Sequence, residues 1–140
     1  MIQRGWTEEI HLPKKPGAEK EARDRASSFA TAIGFGMERI EDIMTAVSEA
    51  CLNAMEHAPS QDLSDTVLVT FLRDEQGMQI VVANKGKSFL PPEGKPDLRE
   101  KIEGRDRARG WGLYLMRELA DEVEIINEQG ITTLTMKFRL

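Results

Sequence analysis

Within AVSEACLNAMEHA, residues 46 to 58, four side chains able to hold a proton or a cation fall on one side of an apolar segment: Glu49, Asn53, Glu56 and His57. At about 100° per residue, Asn53 lies roughly 40° from Glu49, Glu56 about 20° to the other side, and His57 about 80° away. The opposite side carries Ile43, Met44, Val47, Ala50, Cys51, Ala54 and Met55, a stripe that faces a core. A merely solvated face would mix in Lys and Arg, and there is none from Asp42 to Ala58. A carboxylate one turn from a carboxamide, with no base to neutralise it, suits a proton acceptor and a hard cation. The pattern points towards a magnesium–nucleotide site. Taken alone, a solvated pair on a half-exposed helix explains Glu49 and Asn53 slightly better, since polar i,i+4 pairs are common.

Three further features bear on that chemistry. Gly110-Trp111-Gly112-Leu113 opens a helix after a long irregular stretch. Glycines there let the backbone approach a phosphate, and unpaired N–H groups favour an anion. A loop that needs Gly to enter a helix has the same sequence, so the motif is weak by itself. Asn84-Lys85-Gly86-Lys87-Ser88-Phe89 leaves a Val-rich strand, and in isolation reads as an ordinary turn. Residues 85 to 109 carry eight basic and five acidic residues, a local +3 in a chain of net charge −5. That suits a lid over phosphates and suits a solvated loop equally.

The elements that must position these residues follow from pattern. WTEEIHL, residues 6 to 12, reads as a strand ended by Pro13; Ala18 to Ile33 is a helix ended by Gly34 and Gly36. A long helix runs from about Glu38 to His57 and stops at Pro59. TVLVTFLR (66–73) and MQIVVA (78–83) form a hairpin; Trp111 to Asp121 is a helix; residues 122–127 and 131–138 form a closing hairpin. Between them, 85–109 holds Pro91, Pro92 and Pro96 with Gly86, Gly94 and Gly104, too long for a passive loop. The order β-α-α-β-β-loop-α-β-β predicts an α/β two-layer sandwich, a mixed β-sheet with helices on one face.

Bulk composition narrows the function. One domain of 140 residues is large enough for a real core, and the acidic balance argues against a nucleic-acid surface. No run spans a bilayer and the N-terminus has no apolar signal region, so a cytoplasmic location is expected. The single Cys51 reads as a buried small hydrophobe. No phosphate-binding lysine motif, CxxC or HxxxH metal pattern or nucleophile triad is present, and His57 reads as a structural hydrogen-bonder.

Together and in this order, the four features resemble those of the GHKL (Bergerat-fold) ATPases, in which an N box, a first glycine box, a lid and a second glycine box enclose ATP. Within that superfamily the chain is most similar to the small RsbW-type anti-sigma factors, serine/threonine-protein kinases of bacterial partner-switching systems. Ser48-Glu49-Ala50-Cys51-Leu52-Asn53-Ala54-Met55-Glu56-His57-Ala58 resembles their N box, and Gly110 to Met116 their second glycine box. Asp121-Glu122-Val123 and Gly130-Ile131-Thr132 are also similar, and the resemblance covers nearly the whole chain. The sequence contains no dimerisation helices or phospho-acceptor histidine segment ahead of the first strand, so a two-component sensor kinase is not the expectation.

The resemblance implies roles. Glu49 would activate a substrate hydroxyl, and Asn53 would hold Mg²⁺ on the phosphates of ATP. His57, Asn84, Gly86, Ser88, Arg109, Gly110, Gly112 and Leu113 would surround the nucleotide, with Thr132 at its adenine end. The substrate would be a small STAS-type antagonist protein, and the second partner a sigma factor or similar regulator. A homodimer is expected, with Arg23 and Phe29 of the first helix near the partner site. One residue departs from the family: the first glycine box begins there with an aspartate that accepts the adenine amino group, and here with Asn84. A neutral bond replaces a charge-assisted one, which predicts a loss of about 1 to 3 kcal/mol, roughly ten- to a hundredfold in ATP affinity. A non-catalytic binding module that hardly uses ATP is therefore the competing expectation.

Overall fold

Alternation along Thr66–Arg73 sends Val67, Val69 and Phe71 to one face, and all three are fully buried. The same period buries Met78, Ile80 and Val82 on the next strand and Leu134, Met136 and Phe138 on the last. These strands form one side of the core in the computed structural model, which describes residues 6–57, 66–85 and 111–140. The elements run β1 (Thr7–Pro13), α1 (Glu19–Ile33), α2 (Met37–His57), β2 (Thr66–Arg73), β3 (Gly77–Lys85), α3 (Trp111–Leu119), β4 (Glu122–Glu128) and β5 (Ile131–Arg139).

The five strands make one sheet in the order β1-β2-β3-β5-β4. All the described pairings are antiparallel, where a mixed sheet was expected. The reason is parity. Gly34, with φ 116°, ends α1, and three residues turn the chain into α2, so the helix pair returns it to the end of the sheet it left. Strand β2 must then run against β1. Hairpins supply β2–β3 and β4–β5, and α3, between β3 and β4, brings the chain back so that β5 runs against β3. The α/β two-layer sandwich stands, with its helices on one face.

The core joins Ala22, Ala26, Phe29, Ala30 and Ile33 of α1 to Ile43, Ala46, Val47, Ala50 and Cys51 of α2, over the sheet. Leu113 and Met116 bring α3 into the same cluster. Phe29 is 1% exposed, its ring 5.9 Å from that of Phe71, so its side chain cannot present the partner surface expected of it. The helix face that carries it is the one the sheet covers. Arg39, at the start of α2, fastens the far side. Its guanidinium donates to the Leu119 carbonyl at the end of α3 and to Asp121 Oδ2 at 2.8 Å, and lies 5.3 Å over the Phe138 ring. Helix α3 is thereby held to α2 at its C-terminal end, which fixes where its N-terminus points.

Candidate nucleotide-binding site

On three strands the core-facing positions turn polar at the same end of the sheet. Along β3 they run Met78, Ile80, Val82 and then Asn84; along β4, Val123, Ile125 and then Asn127; along β5, Thr132 precedes Leu134 and Met136. The register aligns them, with Asn84 opposite Thr132 and Thr132 opposite Asn127. A two-residue turn, Gln129 (φ 52°) and Gly130 (φ 78°), sets that register between β4 and β5. The result is a polar rung across the sheet, Asn84–Thr132–Asn127, beside an apolar rung, Val82–Leu134–Ile125. The Thr132 hydroxyl donates to Asn127 Oδ1.

Helix α2 crosses above these rungs with Ala50 and Ala54, one turn apart. Two methyl groups where the stripe elsewhere carries larger side chains leave a gap. The pocket is lined by Ala50, Asn53 and Ala54 from the helix and by Val82, Asn84, Ile125, Thr132 and Leu134 from the sheet. Its walls are apolar and its end is polar, which fits a flat heteroaromatic ring with hydrogen-bonding groups on one edge. Asn84 is only 7% exposed, and its Oδ1 is buried without a hydrogen-bond partner. A buried acceptor left unmade is costly, so the orphan is where a ligand donor belongs.

Glu49 and Asn53 sit one turn apart on the same helix, and α3 begins beside them. A Cβ added at Gly112 would lie 2.9 Å from Asn53 Nδ2, 3.2 Å from Asn53 Oδ1 and 3.2 Å from Glu49 Oε2. The first turn of α3 therefore stands directly against both side chains, and a side chain at this position would displace them. Glu49 is 9% exposed, so it is not the solvated residue that a half-exposed helix would offer. The first turn of α3 holds no acidic residue of its own, and its positive dipole end favours an anion.

The assembled parts are those of a known fold family. Residues 12–138 match the histidine kinase-like ATPase domain. The chain belongs to that family. It is 39% identical over 136 residues to the serine-protein kinase RsbW of Bacillus pumilus and 34% identical over 134 residues to that of Bacillus subtilis, in each case covering 93% of this chain and 84% of the relative. In fold it resembles the crystal structure of the RsbU and RsbW domains of a Mycobacterium tuberculosis protein (TM-score 0.71, 24% identity, covering 96% of this chain and 32% of that one). It also resembles a chain of the SiaB–SiaC complex from Pseudomonas aeruginosa (TM-score 0.64, 14% identity, 92% and 87%).

Of the expected site residues, the structure brings together Glu49, Asn53, Asn84, Gly112 and Thr132. Leu113 is 1% exposed and its side chain is committed to the core, which leaves only its backbone for a ligand. His57 closes α2, and its side chain lies outside the described residues, as do Gly86, Ser88, Arg109, Gly110 and the expected lid apart from Lys85. Asn127 was not foreseen. Its signal was present: a polar residue following Val123 and Ile125 on the core-facing alternation of β4.

Proposed function

We infer that the chain is an ATP-dependent serine/threonine-protein kinase of a partner-switching system, phosphorylating a small antagonist protein. One observation carries this reading. Glu49 and Asn53 are held together against Gly112, beside a slot whose polar end presents an unpaired acceptor.

ATP supplies the phosphoryl group, and Mg²⁺ bound to it neutralises the charge that shifts on transfer. The chain's own residues do the rest. The apolar rung and the two alanines hold the base, and Asn84 anchors its polar edge. The start of α3 faces the phosphates with its N–H groups. Asn53 offers its carbonyl oxygen to the cation; among the described residues no three His, Cys, Asp or Glu side chains cluster, so most of the cation's other ligands would come from phosphate and water. Glu49 takes the proton of the incoming seryl or threonyl hydroxyl, a role that its burial beside Asn53 and Gly112 supports.

In its unphosphorylated-antagonist cycle the same protein would sequester a sigma factor or similar regulator, as a cytoplasmic homodimer. Among the described residues no helix is long and apolar enough to cross a membrane.

Incubation of purified protein with Mg-ATP and its candidate antagonist, followed by phosphopeptide mapping, tests the assignment. Phosphoserine or phosphothreonine on the antagonist, lost with Glu49→Gln, is the expected result. Tight nucleotide binding with no transfer to any antagonist would leave a binding module instead.

A further inference from the structure

The polar rung contains more than an anchor for one amino group. Asn84, unlike a carboxylate, presents both an acceptor, Oδ1, and a donor, Nδ2. Its neighbour Thr132 has one hydroxyl proton, and that proton is given to Asn127 Oδ1 on the adjacent strand. Towards the slot, Thr132 can therefore only accept. The polar end of the slot then offers acceptor, donor and acceptor, beside the apolar rung.

That set suits a 6-aminopurine. Its amino group brings two N–H donors, and the ring nitrogen beside it is an acceptor, the edge that a carboxamide pairs with at both ends. A 6-oxopurine presents the reverse, a carbonyl beside a ring N–H. Asn84 can meet it by turning its amide over, because a carboxamide is nearly symmetric in shape. Thr132 can follow only if Asn127 turns over as well, giving up the hydrogen bond from Thr132 to its Oδ1, so a 6-oxopurine needs two carboxamides reoriented where a 6-aminopurine needs neither.

We propose that Asn127 is a specificity-determining residue: by fixing Thr132 as an acceptor beside Asn84, it makes the slot select adenine over hypoxanthine and guanine nucleotides. This rests on the reading of the slot as the nucleotide site. Asn127 acts through Thr132 and is a positioning residue.

Equilibrium titration of Mg-ATP and Mg-ITP into the purified protein tests it, since the two bases differ at the 6-position and its adjoining ring nitrogen. The unmodified protein is expected to prefer ATP by tenfold or more. Asn127→Ala, and independently Asn127→Val, should shrink that preference at least fivefold by tightening ITP, with ATP affinity changed less than threefold. Thr132→Val should shrink it as well, by removing the opposing lone pairs in a side chain of the same shape. Circular dichroism and thermal melting check that each variant folds, and Thr132→Val carries the test should both changes at Asn127 disturb β4. An ATP/ITP ratio that stays the same in the folded variants overturns the proposal while leaving the kinase reading intact. No binding of either nucleotide to the unmodified protein overturns both.

Discussion

Gly112 stands so close to Asn53 that a single added methyl carbon would sit 2.9 Å from its Nδ2. The contact joins two segments separated by almost sixty residues, and it gives the glycine a reason that has nothing to do with backbone dihedrals. Gly112→Ala should leave the fold intact, because what must yield is the end of a flexible side chain. Alanine is also the better helix former, by up to about 1 kcal/mol. Yet Asn53 and Glu49 are the groups displaced. The expected outcome is an unchanged or raised melting temperature with Mg-ATP affinity at least tenfold weaker. A loss of stability in step with binding would contradict this account.

Glu49→Gln keeps the shape of the buried side chain and removes its basicity. Phosphoryl transfer is expected to fall by about 10² to 10⁴. Nucleotide affinity, measured by calorimetry on the same preparation, should move less than threefold. A comparable fall in both would make Glu49 a binding residue.

Asn84→Leu removes both polar ends of the rung's first member at a position already 7% exposed. Fluorescence titration should show ATP bound about ten- to a hundredfold more weakly, the equivalent of one or two unmade bonds. Stability should hold or rise, since the substitution also removes an unpaired acceptor.

Asp121 should govern part of the acid limb of stability. Burial raises its pKa, but the Arg139 backbone N–H and the Arg39 guanidinium outweigh it and hold the carboxyl below its ordinary value. A folded-state pKa below the unfolded one gives stability that is fully present above about pH 4 and lost as pH falls through the lower, folded value. In urea titrations Asp121→Asn should therefore lower the midpoint at neutral pH and flatten its decline below pH 4. The effect is expected to be no more than about 1 kcal/mol, because the pair is open to solvent.

Cys51 should be chemically silent. Burial first, and the Glu19 carboxylate second, push its thiol up to about 12, so almost no thiolate exists at neutral pH. An aromatic disulfide reagent should react with it only after unfolding in urea. Rapid reaction in the native protein would mean that α2 opens.

Most of the architecture was legible because it depends on local period. The alternation in Thr66–Arg73, the 3.6-residue stripe from Ile43 to Met55 and the glycine stop at Gly34 each set an element to within a residue or two of its observed bounds. The site was partly legible for a different reason. Glu49 and Asn53 share a helix, so their proximity is fixed by helix geometry alone. Whether they are solvated or buried is not, and that distinction separates a surface pair from a catalytic one.

What the sequence by itself determined was the inventory: the elements, the helix-borne carboxylate and carboxamide, the glycines at the entry to α3, and an asparagine at the end of a Val-rich strand. Only the tertiary structure decided which of these meet. The antiparallel sheet follows from the helix pair returning the chain, and the rung Asn84–Thr132–Asn127 exists because three strands end their apolar faces in register. Neither is visible to a local window, because strand register is a relation between segments that are distant along the chain. That register also brings the Thr132 hydroxyl into hydrogen-bonding contact with Asn127.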